Sequence, residues 1–182
     1  APLFPSIDIT ITALIVILCV NFLHSTKLSA GKLFQEWTTI FKIILILIFI
    51  VIGLFSTEHE PISIIPTRYD FKLIISPEFA VNLVWVSYAY AGWNSSVYVV
   101  GEIVHPEKNI FRSIFFGTMI VTLLYIVLNY VFLYITPMDQ LIGKVEVGYL
   151  SGVHLFGEKF ATVLSLCIGL MLISTVSSYV YI

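Results

Sequence analysis

Five stretches of the chain are continuously apolar over lengths close to those that cross a lipid bilayer. They are residues 7–23, 37–55, 79–104, 114–135 and 160–182. The hydrocarbon core of a bilayer is about 30 Å thick and needs roughly 20 helical residues. The runs lack the alternation of apolar and polar positions that marks a membrane-spanning strand, so they indicate helices. We therefore predict an all-α integral membrane protein whose five spans form a single transmembrane domain over residues 1–182.

Polar residues concentrate in the four connections between these runs. Residues 24–36 and 105–113 form short connections, and residues 56–78 and 136–159 form connections about twice as long. The density of lysine and arginine in the short connections favours a cytoplasmic location for them. The last connection can hold a short surface helix, although its glycines disfavour one.

The composition excludes a soluble domain and a nucleic-acid partner. Hydrophobic residues make up 59% of the chain and charged residues 11%, whereas soluble domains carry about 25% charged residues. The net charge is −2, and no basic stripe is present to neutralise phosphates. The chain lacks an initiating methionine and stops within an apolar run, so we expect a piece of a longer membrane protein.

The third apolar run contains a cluster of small and polar residues at its centre. The cluster comprises Ala89, Ala91, Gly92, Asn94, Ser95 and Ser96. A straight helix over residues 79–104 would be about 39 Å long, which exceeds the hydrocarbon thickness. We therefore predict a discontinuous third helix. The cluster fits either an unwound segment that binds a solute or a surface for close helix packing.

Lys42 lies five residues inside the second apolar run. A lysine at mid-bilayer costs about 2.5–3.5 kcal/mol. Its long stem can carry the amine back to the interface, or the buried cation can join neighbouring helices or exchange a proton. Ser174 and Thr175, in the last run, fit packing hydroxyls as well as contacts to a cation or a substrate.

The sequence offers no catalytic constellation. The four histidines, His24, His59, His105 and His154, fall in or beside connections and lack metal-ligand spacing. No span carries a paired nucleophile and base. We expect no enzyme activity, no metal and no cofactor.

Two motifs resemble a known family. The stretch "YAYAGWNSSVYVVGEIVHPEKNIFRSI" resembles the sixth helix and following loop of amino acid permeases in the amino acid–polyamine–organocation superfamily. The stretch "GKLFQEWTTIFK" resembles the fifth helix of the same family, with its Gln, Thr and Lys. The resemblance extends over nearly the whole chain, as helices four to eight of about twelve.

The resemblance implies a five-plus-five inverted-repeat fold, with the substrate held between broken helices. Tyr88 would be the aromatic gate, and backbone groups around Ala89, Ala91 and Gly92 would meet the amino group of the substrate. Trp93 and Asn94 would line the pocket. In the same way, Lys42 would stand where sodium-driven relatives bind sodium, with Ser174 and Thr175 near that place.

The implied function is secondary active transport of L-amino acids by alternating access, coupled to protons or to exchange. The implied partners are the amino acid substrate, protons, the lipid bilayer and the remaining helices of a full-length transporter in the plasma membrane. Two alternatives are a carrier of polyamines or other organic cations with the same fold, and a non-transporting membrane scaffold subunit. A polyamine carrier should place extra carboxylates at pocket depth, and none lies between Trp85 and Val100.

Overall fold

The computed structural model describes residues 8–26, 28–57, 59–62, 65–98 and 100–181, and all regular structure in these ranges is helical. The helices are α1 (Ile9–Thr26), α2 (Leu28–Leu54), α3 (Arg68–Ile74), α4 (Pro77–Ala89), α5 (Ser95–Tyr98), α6 (Pro106–Ile135), α7 (Met138–Leu141) and α8 (Val147–Tyr181). Two 3₁₀ turns, Ala91–Asn94 and Val100–Glu102, flank α5.

Three helical stretches of the described chain are long and apolar enough to cross a membrane. They are Leu33–Leu54, Pro106–Ile135 and Val147–Val180. A fourth crossing is counted if α3 and the following stretch Pro77–Tyr98, which are bent by 68°, form one span. The predicted first span contains a shorter apolar helix, Thr10–Phe22. By length and composition the structure therefore gives three or four crossings, fewer than the five predicted.

The helices extend well into the predicted connections, so the ends of the helices differ from the predicted ends of the spans, which stay a prediction. Helix α2 begins nine residues before the predicted start at residue 37, and α6 begins eight residues before residue 114. Polar residues do not by themselves end a helix, because most of them are compatible with helical backbone. Proline suits the first position of α6, since the N–H that it lacks would have no helical partner.

Helix α8 consists of two parts that fold back on each other at Gly157. This glycine has φ 76° and ψ 170°, a conformation that L side chains rarely adopt. A Cβ at Gly148 would lie 3.1 Å from Ile168 Cδ1, and one at Gly152 would lie 2.8 Å from Leu164 Cδ2. Residues 147–156 therefore run antiparallel to the start of the longer part. The glycines that disfavoured a helix in this connection instead allow two helices to approach closely.

The chain divides into two compact units, and the first comprises Ala1–Glu60 and Val127–Ile182. Helices α1, α2 and α8 pack against one another within it. Its buried apolar side chains are Val20, Phe49, Ile50, Val131, Ile135 and Ala161. Gly53 lies against Val131, and a Cβ at this glycine would overlap Val131 Cγ1. This contact fixes the distance between α2 and the end of α6.

The second unit comprises Pro61–Ile126. Helix α3 begins with a capping box, in which Thr67 and Asp70 bond each other's backbone N–H groups. Helix α4 begins after Ser76, whose hydroxyl accepts a hydrogen bond from the backbone of Phe79. None of the residues described between 61 and 126 is buried. The prediction of a single transmembrane domain over the whole chain stays a prediction.

Candidate functional site

The third apolar run contains a helix that stops and restarts within a few residues. Helix α4 ends at Ala89, and Tyr90 follows with φ −103° and ψ 3°, outside the helical region. A 3₁₀ turn then covers Ala91–Asn94, and α5 adds four residues. A 3₁₀ turn within a longer helical run marks a hinge or a strained segment. We call residues 90–94 the interrupted segment.

A cleft of about 390 Å³ lies beside the interrupted segment, within the second unit. Its lining comprises Ala89, Tyr90, Gly92, Trp93, Ser96, Ser113, Ile114, Gly117, Thr118, Val121 and Tyr125. We call it the α4–α6 cleft. No lining residue carries a charge, and the polar groups are hydroxyls, an indole N–H and backbone amides. The cleft can therefore offer hydrogen bonds and apolar contact but no ion pair from a side chain.

The cleft includes some of the residues that the sequence nominated. Ala89, Gly92 and Trp93 line it, whereas Tyr88, Ala91 and Asn94 are not part of its lining. The Tyr88 side chain is 68% exposed, and its ring lies 6.1 Å from that of Trp85.

The opposite wall of the cleft comes from α6, which the sequence analysis did not nominate. Ser113, Gly117, Val121 and Tyr125 follow one another at intervals of four residues and so share one helix face. The Tyr125 and Tyr90 rings pack edge to face, with their centroids 5.5 Å apart, and both line the cleft. The small pair Ser113 and Gly117, spaced for close approach, is the signal that could have identified this face.

A second polar cluster lies within the first unit, between α2 and α8. We call it the polar seam; it comprises Gln35, Thr38 and Lys42 on α2 with Ser174, Thr175 and Ser178 on α8. Gln35, nearer the start of α2, contacts Ser178, whereas Lys42, further along α2, contacts the earlier residue Thr175. The two helices are therefore antiparallel here.

Three hydrogen bonds between side chains hold the polar seam together. Lys42 Nζ donates to Thr175 Oγ1 at 3.3 Å. Ser174 Oγ donates to Thr38 Oγ1 at 2.7 Å. The amide of Gln35 donates to the hydroxyl of Ser178. The structure therefore brings Lys42 together with Thr175, and Ser174 lies fully buried in the same seam.

The sequence analysis did not nominate Gln35, Thr38 or Ser178 as site residues. Positions 35, 38 and 42 follow the i, i+3, i+7 spacing of one helix face, which is the signal that could have joined them. The Gln35 Oε1 atom is buried and has no hydrogen-bond partner among the described residues. The described residues also contain no group of three or more His, Cys, Asp or Glu side chains that could hold a metal ion.

Long apolar helices, a broken span and hydroxyls bonded across helices define a multi-pass helical membrane protein. The chain belongs to the amino acid permease family, because the sequence model described as amino acid permease matches residues 4–182.

Three curated relatives illustrate the similarity. The large neutral amino acids transporter small subunit 2 of Homo sapiens is 24% identical over 164 residues, which cover 86% of this chain and 31% of the relative. The serine/threonine exchanger SteT of Bacillus subtilis (strain 168) is 30% identical over 128 residues, which cover 70% of this chain and 28% of the relative. The b(0,+)-type amino acid transporter 1 of Oryctolagus cuniculus is 25% identical over 138 residues, which cover 75% of this chain and 28% of the relative.

The chain spans about a third of the length of these curated relatives. No solved structure gives a significant match.

Proposed function

We propose that the complete protein is a secondary active transporter that carries L-amino acids across the plasma membrane by alternating access. The observation that carries the proposal is an apolar helix interrupted at residues 90–94 beside an uncharged cleft, in a chain of the amino acid permease family. Unwound backbone at membrane depth is tolerated where it lines a cavity, and broken helices bind substrates in transporters. The proposed fold is a five-plus-five inverted repeat.

The proposed substrate contacts are those nominated by the sequence, namely Tyr88, Ala89, Ala91, Gly92, Trp93 and Asn94. The 3₁₀ turn supports this assignment, because a change of hydrogen-bond pattern leaves backbone groups available to a ligand. Hydroxyls beside the turn satisfy their own backbone instead, since Ser96 Oγ donates to the Trp93 carbonyl at 3.2 Å.

The lining of the α4–α6 cleft supports a neutral side chain on the substrate. A polyamine carrier would need carboxylates to balance its cargo, and the cleft has none among its lining residues. Two of the relatives described above are named for large neutral amino acids and for serine and threonine. We propose neutral amino acids as the substrate class.

Lys42 supports a coupling mechanism without sodium. Its amine bonds Thr175, so that in its protonated form it supplies a positive charge in the polar seam. We propose that this charge takes the place of a sodium ion, with Ser174 and Thr175 as its neighbours, and that transport is coupled to protons or to exchange.

Equilibrium binding of neutral amino acids to the complete protein, in wild-type and Gly92→Leu forms, tests the substrate site. A Cβ at Gly92 meets nothing within 4 Å, so the Gly92→Leu protein should fold. The leucine side chain should then fill the cleft. We expect at least a tenfold loss of affinity. Gly101→Leu is the matched control, because Gly101 is equally open and does not line the cleft. Equal affinity in Gly92→Leu and wild type would refute the proposed site.

Uptake into proteoliposomes tests the coupling mechanism. We expect the initial rate to be unchanged when sodium is replaced by choline, and to rise when a proton gradient or internal amino acid is supplied. A requirement for sodium, with no response to either of the other gradients, would refute the proposal.

A further inference from the structure

A polar cleft of about 470 Å³ lies within the first unit, where α2 and α6 end and α8 begins. We call it the histidine cleft; its polar lining comprises Ser56, Thr57, His59, Glu60 and His154. Its lining shares no residue with the polar seam or with the interrupted segment, and the proposed transport function uses none of its residues. Its volume falls within the range of about 300–1,000 Å³ that suits small-molecule sites.

Two contacts join residues 59 and 60 to Tyr134 at the end of α6. The His59 ring stacks on the Tyr134 ring at 4.8 Å, with 14° between the planes. The backbone N–H of Glu60 donates to the Tyr134 carbonyl at 2.7 Å. His59 and Glu60 are thus both anchored to Tyr134. These contacts position the backbone from which the Glu60 side chain lines the cleft.

His154 supplies a second acceptor, and its own hydrogen bond fixes the tautomer. Its Nδ1 atom lies 3.0 Å from the Leu150 carbonyl. A carbonyl oxygen can only accept, so Nδ1 carries a proton, and in the neutral form of the ring Nε2 then has the lone pair. The carboxylate and this imidazole nitrogen can both accept hydrogen bonds in the cleft.

The charge of the lining selects a cation. Glu60 is the one carboxylate of the lining, and no lysine or arginine is among the described residues that line the cleft. The Glu60 side chain is exposed at the mouth of the cleft, and a carboxylate accepts its strongest hydrogen bonds from a positively charged donor. A primary ammonium group has three donors and one charge. Ile135 and Pro137 form an apolar wall that suits a short hydrocarbon substituent.

We propose that the histidine cleft binds a small solute through its primary ammonium group, with Glu60 as the counter-ion. This site does not depend on the proposed function of the interrupted segment. The ammonium group belongs either to an amine or to a zwitterionic amino acid, and the experiment below separates these sources.

Calorimetric titration of the complete protein with n-butylammonium tests the proposal, with n-butyrate as the probe of opposite charge. We expect saturable binding of n-butylammonium in the wild type and in Gly92→Leu, and no binding of n-butyrate to the cleft. In Glu60→Gln the dissociation constant should rise at least tenfold. Glu60→Asp keeps the charge and should retain binding within a few-fold. Glu146→Gln removes an exposed carboxylate outside the lining and should change nothing.

Leucine, titrated into the same proteins, identifies the source of the ammonium group. A leucine site that weakens in Glu60→Gln and persists in Gly92→Leu indicates amino acids, whereas n-butylammonium binding without such a site indicates amines. The proposal is overturned if n-butylammonium does not saturate the wild type, or if a folded Glu60→Gln protein binds it unchanged. Loss of leucine binding in Gly92→Leu alone bears on the interrupted segment and not on this cleft.

Discussion

Several hydroxyl-bearing residues of the first compact unit are buried between helices, whereas Ser87 and Ser96 of the second lie along an interrupted and more exposed helix. In the first unit, Ser174 and Ser151 are fully buried, and each bonds a threonine on another helix or at its end. In the second, Ser87 and Ser96 bond carbonyls of their own helical segments. The same residue type therefore joins helices at these positions of the first unit and bonds its own helix at these positions of the second.

The difference indicates how to separate packing residues from candidate ligand contacts in an apolar chain. A hydroxyl that bonds a side chain on a neighbouring helix is committed to that contact, because an unsatisfied polar group in an apolar environment is costly. A hydroxyl that bonds its own backbone leaves the surrounding surface available. By this criterion the polar seam is a contact between helices, and Ser96 beside the α4–α6 cleft is not committed to such a contact.

The largest expected effect is that of Gly53→Ala, which tests whether the first unit depends on close packing. The new methyl group would overlap Val131 Cγ1, and Val131 is fully buried. Overpacking of this kind costs about 1–3 kcal/mol. Thermal unfolding in detergent should show the loss. Gly169→Ala is the control, since a Cβ there meets nothing within 4 Å. Equal unfolding temperatures for wild type and Gly53→Ala would contradict the tight contact.

The all-helical, apolar character of the chain could be predicted from the sequence, because long apolar runs without alternation indicate membrane helices. The ends of the helices could not, since residues such as Lys32 and Glu36 are polar and yet belong to helix α2. The reversal at Gly157 was also missed. A positive φ at one glycine depends on the contacts of Gly148 and Gly152 with the following helix, and local composition does not reveal them.

The candidate sites could be predicted only where one residue was conspicuous by itself. Lys42 stood out as a charge within an apolar run, and Gly92 stood out at the centre of a small-residue cluster. Thr38 and Ser113 did not, because each is ordinary in a helix and gains meaning only from the element opposite. The partners of a site belong to tertiary structure, which spacing within one helix cannot supply.

The next largest effect is that of Lys42→Met, which tests whether the polar seam has a role beyond packing. The variant keeps a similar length and removes a charge that is costly within an apolar span. We expect uptake by the complete protein to fall at least tenfold while the unfolding temperature stays equal or rises. Lys159→Met, on an exposed part of α8, should leave uptake unchanged. A parallel loss of stability and uptake would make Lys42 a packing residue.

A smaller effect is expected from the bond between Thr38 and Ser174. A double-mutant cycle with Thr38→Val and Ser174→Ala isolates their interaction. Hydrogen bonds between membrane helices average about 0.6 kcal/mol, with a maximum near 1.7 kcal/mol. The 2.7 Å distance and the full burial of Ser174 place this pair toward the upper end. Additive effects in unfolding experiments would show that the two hydroxyls are not coupled.

The smallest effect is expected in the second unit, at the capping box that begins α3. Thr67 Oγ1 accepts a hydrogen bond from the Asp70 N–H at 3.4 Å, and Asp70 Oδ2 accepts one from the Thr67 N–H at 2.6 Å. Thr67→Ala removes the first of these bonds, which costs about 0.5–1 kcal/mol at an exposed cap.

Because none of the described residues from 61 to 126 is buried, the loss at Thr67 should remain local. Amide hydrogen exchange should quicken severalfold in α3, while the unfolding temperature of the whole protein stays constant. Thr67→Ser is the matched control, since serine caps a helix at least as well as threonine. A drop in the global unfolding temperature for Thr67→Ala, absent from Thr67→Ser, would contradict this prediction. It would mean that α3 unfolds cooperatively with the rest of the protein.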